Sequence, residues 1–586
     1  MSKPNILFIM TDEMRFPPVY ETAEIKAWRE KYLKGMNRLK EGGVEFLNHY
    51  TASTACAPSR AAIACGQYPS LTGVSQTNGA AKTAFDSDMF WLDSATVPTI
   101  GDYFSGGSYR TFYKGKWHVS ESDIIIPGTH DAVPSYNEEN GIPDPKLTSL
   151  YLRTNRLNKF GWDGWVGPEP HGSDPRKSGS SAAEGLSGRD VVYTEQCRQL
   201  IKELDKSPNN EPFIITFSLV NPHDISLWGE ISRELPEFNF KINDSVPFIP
   251  AAPTAHENLS TKPSCQQSYK DKYPLGFQPT IDDETYRQLY YSLILTADEN
   301  INKVLDTLEN SRFAKNTIII MTSDHGDTIG AHNLFQKWYT AYEEVIHVPL
   351  IVKIPYHECQ KNINMLTSHV DILPTMLGLA KIDVRKVQKE LKKTHTEVRE
   401  LVGRDLSRII LGKSPEVNEP IYFMTDDDVL LGQNQTTLRG KPYDAVIQPN
   451  HIETVITNLP TGPSDQIWKY SRYFDNPQFW TNPCDSNVLV HTTDNIGTPK
   501  HPISVSINLT KKKPAGPQFE MYNLTLDPIE TKNLSDPTYA TPKTNKIEKM
   551  LQKLLKQQSD KKRLYPLSGV PPCSIPRRNP LLPRPA

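Results

Sequence analysis

Continuous apolar runs that end in polar residues constrain the fold of this chain more than any other sequence feature. The first is NILFIMTD at residues 5–12, and similar runs lie at 109–115, 212–220, 316–327 and 347–355. Such runs are typical of strands buried on both faces, as in a parallel sheet. Helical patterns lie between them, notably at 284–310, where apolar residues recur at spacings of three and four. The alternation predicts an α/β fold with a large central, mostly parallel sheet and helices on both of its faces.

The length of the chain, 586 residues, exceeds what one ordinary core accommodates. We predict a large N-terminal domain over 1–415 that carries the candidate site. Its two insertions, at about 120–190 and 225–283, are loop-rich and are expected to shape a substrate pocket. Short strand-like pieces predict a smaller C-terminal α+β domain with an antiparallel sheet over 416–560. The proline-rich, basic residues 561–586 predict an extended tail.

Charge and apolar patterning exclude several classes of function. The chain has 65 basic and 68 acidic residues, so no global positive field recruits nucleic acid. No run approaches the roughly 20 apolar residues that cross a bilayer, so no membrane partner is expected. The start lacks a small-residue cleavage site, and seven scattered cysteines without a CxxC pair argue against disulfides and structural zinc. We therefore expect a soluble protein of the cytoplasm, and a homo-oligomer remains possible.

Polar side chains cluster directly after the predicted strands. Ligands of open α/β sheets bind outside the carboxyl ends of the strands, so this edge is the candidate active site. The residues concerned are Asp12 and Glu13, Lys116 and His118, Asn221 and His223, and Asp324 and His325.

Two of these strand ends offer ligands for a metal ion. Asp12, Glu13 and Asp324 supply the carboxylate oxygens that a hard divalent cation prefers, and His325 favours a borderline metal such as Mn²⁺. A single Asp-His pair is more often part of a surface loop. Here two such pairs each end an apolar strand. A metal site is then about as probable as an ordinary surface loop.

Cys56 lies at the predicted start of a helix, in the segment TACAPSRAAIACG at 54–66. Free cysteine is commonly a small buried hydrophobic residue, and Cys65 is interpreted in that way. Pro58 suits a first helical turn, so Cys56 lies near a helix N-terminus with Arg60 as a nearby cation. A thiolate nucleophile is conceivable, but thiolates attack anionic sulfate and phosphate esters poorly.

The run Cys56-Ala57-Pro58-Ser59-Arg60, with Gly66 after it, resembles the C-x-P-x-R signature of the type I sulfatases, in the alkaline phosphatase superfamily. The resemblance extends over most of the chain. Other segments that resemble family landmarks are PNILFIMTDE at 4–13, GKWH at 115–118, NPHD at 221–224, SDHGD at 323–327 and Lys337. This ordered set is far more specific than the pentapeptide alone.

The resemblance implies a formylglycine at position 56, made from Cys56 by a formylglycine-generating or sulfatase-maturing enzyme, whose hydrated gem-diol is the nucleophile. It implies one divalent metal ion, Ca²⁺ or alternatively Mn²⁺, and a small-molecule sulfate ester as substrate. Loss of a proton from the second diol hydroxyl then expels sulfate and regenerates the aldehyde. The implied metal ligands are Asp12, Glu13, Asp324, His325 and an oxygen of modified Cys56. The implied catalytic and substrate-binding residues are Lys116 and Lys337 for the sulfate charge, Arg60 for the diol, His223 for the leaving oxygen and His118 for the second hydroxyl. Apart from the resemblance, Asn78 in SQTNGAA is a candidate substrate-binding residue, although Asn-Gly is equally typical of a turn.

Two positions depart from the common sulfatase pattern and keep alternatives open. Glu13 stands where many sulfatases have a second aspartate, and His325 stands where asparagine is frequent. Histidine there is similar to the choline sulfatase and phosphonate monoester hydrolase branches, the latter associated with manganese. The first hypothesis is therefore an arylsulfatase-like sulfuric ester hydrolase, and the alternative is a phosphonate monoester or phosphodiester hydrolase. A non-catalytic binding protein with unmodified Cys56 is a third hypothesis.

Overall fold

The computed structural model describes residues 3–86, 89–170, 175–180, 188–355, 361–475, 488–498, 501–511 and 515–567. The strands are β1 (Asn5–Asp12), β2 (Val44–Tyr50), β3 (Arg110–Gly115), β4 (Phe213–Pro222), β5 (Thr317–Ser323), β6 (Leu350–Lys353), β7 (Lys361–Ser368), β8 (Ile421–Thr425), β9 (His451–Leu459), β10 (Gln466–Phe474), β11 (Val488–Thr498), β12 (His501–Lys511) and β13 (Gln518–Asn523). The helices are α1 (Ala23–Tyr32), α2 (Lys34–Lys40), α3 (Cys56–Cys65), α4 (Pro69–Thr72), α5 (Ile100–Gly106), α6 (Pro145–Thr154), α7 (Arg189–Lys206), α8 (Ser264–Gly276), α9 (Glu284–Glu309), α10 (Glu343–Ile346), α11 (Ile372–Leu379), α12 (Val384–Leu391), α13 (Ser407–Ile410) and α14 (Pro542–Lys562).

The central sheet has seven strands in the order β3-β4-β1-β5-β6-β2-β7. β1 pairs in parallel with β4 and β5, and β3 pairs in parallel with β4. β6 runs antiparallel to both of its neighbours, so the apolar run at 347–355 supplies a strand of reversed direction. The predicted mostly parallel sheet is confirmed. β2 and β7, which the apolar runs did not indicate, complete one edge in parallel with each other.

Successive residues of β1 show why the first run is apolar throughout. Ile6, Phe8 and Met10 belong to one apolar cluster, and Leu7 and Ile9 belong to another. Alternate side chains of a strand point to opposite faces, so these two clusters are the cores on the two sides of the sheet. Helix α9 contributes to the second core along its whole length, as its three-and-four periodicity predicts.

The C-terminal sheet is antiparallel and has the strand order β13-β10-β9-β8. Its strands coincide with the short pieces expected after residue 415, which confirms the predicted antiparallel sheet. Helix α14, which the sequence patterns did not indicate, packs on one face through Ile547, Leu551 and Leu555. The proposed domain boundaries stay predictions, and most of the expected tail, 568–586, lies outside the described residues.

Among the helices in the described part of the chain, none has both the length and the apolar character that a membrane crossing requires.

Candidate active site

Four adjacent strands, β3, β4, β1 and β5, bring the predicted polar residues to one edge of the sheet. Asp12 is the last residue of β1, and Asp324 follows the end of β5 directly. The parallel register pairs Thr11 with Ser323, so the two carboxylates come side by side. His223 follows β4 in the same way. Asp12 and Asp324 are fully buried, whereas the His223 side chain keeps 14% exposure.

Lys116 reaches the same place because β3 approaches β4 very closely at its end. Gly115 has a φ of 116°, and a Cβ there would lie 1.8 Å from the carbonyl oxygen of Ser218. Only glycine fits such an approach. The chain then turns so that Lys116 Nζ lies 2.7 Å from Asp12 Oδ2.

Helix α3 begins with Cys56 and directs its first turn at these strand ends. The Cys56 thiol Sγ lies 3.5 Å from Asp12 Oδ1 and 3.1 Å from His325 Nε2. Every residue of the helix is buried. Small side chains such as Ala57 and Ala61 let it pack directly against the core beneath the sheet. The helix ends at Gly66, whose left-handed φ of 61° forms the C-cap.

Arg60, one helical turn beyond Cys56, ties the strand ends together. Its guanidinium donates to Asp12 Oδ2 at 2.9 Å and to Asp324 Oδ2 at 2.7 Å. It also donates to the Lys116 carbonyl oxygen at 2.8 Å and to Ser218 Oγ at 2.9 Å. A planar guanidinium with several fixed donors can hold two carboxylates at once, which a lysine ammonium cannot do in the same geometry.

Glu13, His223 and Lys337 form a second group beside Asp12. Lys337 Nζ donates to Glu13 Oε2 at 2.6 Å. His223 Nδ1 lies 3.0 Å from Glu13 Oε2 and 3.2 Å from Asp12 Oδ1. Three cations, Arg60, Lys116 and Lys337, thus face the three carboxylates of Asp12, Glu13 and Asp324.

The protonation states follow from burial and these charges. Burial alone raises the pKa of Asp12, but Lys116 and Arg60 outweigh it and hold that pKa well below its usual range. Burial and the neighbouring Asp12 raise the pKa of Asp324 to about 7. Burial and the two lysines lower the pKa of His223 to about 3, so the free imidazole is neutral. Burial and Asp12 raise the pKa of the Cys56 thiol, so the thiol keeps its proton.

The donor atoms fit a divalent cation. One ligand atom from each of Asp12, Cys56, Asp324 and His325, the acid–imidazole cluster, lies within 4.8 Å of the others. His325 Nδ1 lies 2.9 Å from the Gly326 carbonyl oxygen and therefore carries the proton, which leaves the Nε2 lone pair facing the cluster. Oxygen and imidazole ligands of this kind suit Ca²⁺ or Mn²⁺.

Glu13 lies in the neighbouring group with Asp12 and His223, where the ligand atoms are again within 4.8 Å of one another. Its Oε2 is bound to Lys337, whereas Oε1 is buried without a hydrogen-bond partner. Burial raises the pKa of Glu13, Lys337 opposes that rise, and the nearby Asp327 adds to it.

His118 is held by partners from two other segments. Its Nε2 lies 2.6 Å from Asn78 Oδ1, so two predicted residues are paired directly. The backbone of His118 is left-handed, with a φ of 56°. Glu169 accepts the backbone N–H groups of His118 at 2.9 Å and Trp117 at 3.2 Å. Sequence reasoning missed Glu169, because it lies in the insertion at 120–190 and no local motif marks it.

Comparisons with known proteins identify the family of this chain. The sulfatase family model matches residues 4–382. The uncharacterized sulfatase YidJ of Escherichia coli (strain K12) is 27% identical over 393 residues, which cover 65% of this chain and 69% of the relative. The ulvan-active sulfatase of Formosa agariphila is 23% identical over 544 residues, 89% of this chain and 88% of the relative.

Solved structures show the same fold. The phosphonate monoester hydrolase of Agrobacterium radiobacter has a TM-score of 0.55 at 18% identity, covering 95% of this chain and 96% of that one. The resemblance seen in the sequence is therefore confirmed at the level of family and fold. The chain belongs to the sulfatase family and is a sulfuric ester hydrolase.

Proposed function

We propose that this chain hydrolyses a sulfate ester to an alcohol and inorganic sulfate, with a formylglycine made from Cys56 as nucleophile and with a bound divalent cation. The observation that carries the proposal is the position of Cys56. It starts a buried helix and lies within 3.5 Å of both Asp12 Oδ1 and His325 Nε2, at the meeting point of four strand ends. Among the described cysteines, Cys56 alone belongs to a cluster of side chains that could hold a metal ion.

The electrostatics of Cys56 support conversion of its side chain. A catalytic thiolate needs a lowered pKa, whereas burial and Asp12 raise the pKa of Cys56. The unmodified thiol is therefore poorly prepared to attack an anionic ester. A hydrated aldehyde supplies a hydroxyl nucleophile and, through its second hydroxyl, a way to break its own C–O bond and release sulfate.

The cations prepare the site for an anionic group. Lys116 and Lys337 are 1% exposed at their side chains, and they form ion pairs with Asp12 and Glu13, respectively. Their charges offset the negative charge that builds on the sulfate oxygens in the transition state, and this preorganisation costs no rearrangement during the reaction. A divalent cation, held by Asp12, Asp324 and His325, supplies Lewis-acid polarisation of an ester oxygen when bound.

His223 is the candidate acid for the leaving oxygen, because its partial exposure places it at the open side of the site. Its pKa of about 3 arises from burial and then from the charges of Lys116 and Lys337. A bound sulfate ester offsets those charges and raises the pKa of His223, so the substrate itself favours the protonated imidazole. His223 then gives its proton to the departing alkoxide.

His118 is the candidate base for the second step. It would accept the proton of the second hydroxyl of a hydrated aldehyde at position 56, whose electron pair would then form the C=O bond as the C–O bond to sulfate breaks. Asn78, 2.6 Å away, fixes the orientation of the imidazole ring. Each such acid or base contributes on the order of 10² to 10⁴ in rate.

The test compares two cysteines of the same helix. Cys56→Ala removes the proposed nucleophile, and Cys65→Ala removes an equally buried thiol at the other end of α3. We expect metal-loaded wild type and Cys65→Ala to release sulfate from an aryl sulfate, and Cys56→Ala to lose this activity. Equal activity of Cys56→Ala and wild type would contradict the proposal.

A phosphonate monoester or phosphodiester hydrolase is the second candidate. The observation that favours it is His325, whose imidazole nitrogen gives the acid–imidazole cluster a donor suited to Mn²⁺. The same protein is assayed on an aryl sulfate and on an aryl phosphonate monoester, with Ca²⁺ and with Mn²⁺. Much faster turnover of the phosphonate would replace the sulfatase assignment with this one.

The proposal also includes a maturing enzyme that oxidises Cys56, and function in a reducing compartment such as the cytoplasm. The described cysteines are all free thiols, which supports a reducing compartment; they are Cys56, Cys65, Cys197 and Cys265. Expression with and without a sulfatase-maturing enzyme tests the oxidation of Cys56, since activity should rise with co-expression.

A further inference from the structure

A carboxylate from the C-terminal sheet reaches the segments that carry three of the predicted site residues. Asp427 lies two residues beyond β8 and is 4% exposed. Its Oδ2 accepts the backbone N–H of Ala55 at 3.2 Å and the indole N–H of Trp338 at 2.9 Å. Its Oδ1 accepts the backbone N–H of Thr77 at 3.0 Å.

Each of these three donors is the immediate chain neighbour of a site residue. Ala55 precedes Cys56, Thr77 precedes Asn78, and Trp338 follows Lys337. The three segments are far apart in sequence, and the Asp427 side chain is a partner that all of them share. A shift of this carboxylate therefore moves the nucleophile position, the partner of His118 and a sulfate-binding cation together.

The groups around Asp427 act against protonation of its buried carboxylate. Burial raises the pKa of Asp427, and Lys82, held by Gln76 Oε1 at 3.0 Å, opposes part of that rise together with the hydrogen bonds from Thr77 and Trp338. Hydrogen bonds from N–H groups to an ionised carboxylate are about twice as strong as neutral ones. Burying a charge costs free energy, and an apolar side chain would serve if packing alone were needed. The three hydrogen bonds from the Asp427 carboxylate therefore indicate that it places the segments it contacts.

We propose that Asp427 is a positioning residue through which the C-terminal sheet sets the relative places of Cys56, Asn78 and Lys337. The inference rests on the proposed function, because those three residues are assigned to the site there. It extends the site beyond the segments of the central sheet. A misplacement of about 1 Å at a reacting group can cost about 10²-fold in rate, so loss of one of the three bonds should be visible in kcat.

The neighbouring Asp426 provides a matched control. It is also buried, at 2% exposure, and its carboxylate pairs with His451 Nδ1 at 3.0 Å and Arg563 Nη2 at 3.4 Å. Both partners belong to the C-terminal part of the chain. Asp426→Asn therefore perturbs the same subdomain through a buried carboxylate that contacts none of the three site segments.

The experiment compares Asp427→Asn with Asp426→Asn in the full-length, matured protein. The asparagine amide nitrogen must face one of the three N–H donors, so at least one bond is lost. We expect Asp427→Asn to lower kcat by about 10- to 100-fold with a smaller change in KM. Asp426→Asn should keep kcat within about threefold of wild type at a comparable loss of melting temperature.

Hydrogen exchange gives a readout that does not depend on activity. The peptide spanning Ala55, the peptide spanning Thr77, or both should exchange faster in Asp427→Asn than in Asp426→Asn, because at least one of the two amides loses its acceptor. Trp338→Phe removes only the indole donor and keeps the Asp427 carboxylate. It should lower kcat less than Asp427→Asn does.

Equal kcat and equal exchange in the two aspartate variants would overturn the proposal, as would wild-type kcat in both Asp427→Asn and Trp338→Phe. A wild-type protein inactive on sulfate and phosphonate esters would instead end the proposed function. In that case faster exchange at Ala55 or at Thr77 still supports the placement role, and unchanged exchange at both refutes it.

Discussion

The buried charge cluster around His332 predicts a pH-dependent stability. The imidazole stacks on Tyr342 with ring centroids 3.6 Å apart, and its Nδ1 lies 2.6 Å from Glu257 Oε2. Its Nε2 lies 3.6 Å from Glu344 Oε2, and Glu530 is the third acidic group nearby. Burial alone lowers the pKa of His332, but Glu257 and Glu344 outweigh it and raise that pKa to about 9.

The sign of the effect follows from this raised pKa. The folded state binds a proton at His332 more tightly than the unfolded chain, whose histidine pKa is about 6.5. The stabilisation is fully present below about pH 6.5 and is lost as pH rises through about 9. A difference between about 6.5 and about 9, at 1.36 kcal/mol for each pKa unit, corresponds to about 3 kcal/mol.

His332→Asn is the variant of choice, because His332 has a φ of 56° and asparagine tolerates this left-handed conformation. Denaturant unfolding of both proteins is measured at about pH 6 and at about pH 10. At each pH we subtract the free energy of unfolding of the variant from that of wild type. We expect this difference to be about 3 kcal/mol larger at the lower pH.

Glu257→Gln is the second variant of this experiment, because it removes the closest carboxylate partner. It should reduce the pH dependence without removing the ring that stacks on Tyr342. A difference between wild type and His332→Asn that is the same at both pH values would refute the reasoning, since His332 would then contribute packing alone.

Three further predictions concern the active site. Arg60→Lys keeps the charge but loses most of the four hydrogen bonds of the guanidinium. Both kcat/KM and the melting temperature should therefore fall, kcat/KM by about 10²-fold or more. A variant with wild-type kinetics would contradict the role of Arg60. His223→Asn should slow alkyl sulfates by about 10²- to 10⁴-fold and nitrophenyl sulfate much less, because a good leaving group needs no proton. Equal losses on both substrates would remove His223 as the acid. Chelation should abolish activity and lower the melting temperature, because a cation that binds only the folded state stabilises it and its removal takes that stabilisation away. Adding back Ca²⁺ or Mn²⁺ should restore both, and an unchanged melting temperature after verified metal removal would contradict the metal site.

The sequence predicted the parts of the fold whose signals are local. β1, β4 and β5 are buried along their whole length, and β3 is buried over its last three residues. Because these strands are parallel, their carboxyl ends meet at one edge of the sheet. β2 was missed because it is partly exposed, with a mixed burial pattern and polar residues such as Glu45 and Asn48. The reversal of β6 was missed because an apolar run carries no information on strand direction.

The candidate site shows the same division between local and long-range information. Residues at the end of a strand or directly after it, such as Asp12 and Asp324, were predicted together with their neighbourhood. Glu169 and Asp427 were not, because each reaches the site from a distant segment through side-chain bonds to backbone N–H groups. The amino-acid sequence of one chain holds no motif for such contacts, since any buried carboxylate can accept two or three N–H groups.

The mass of the tryptic peptide 41–60, which carries Cys56, tests the central claim most directly. It is measured on protein whose sulfate-releasing activity is determined in the same preparation. We predict a peptide in which an aldehyde oxygen has replaced the Cys56 sulfur, in a fraction that rises in proportion to kcat. Fully active protein with an unmodified Cys56 thiol would contradict the account.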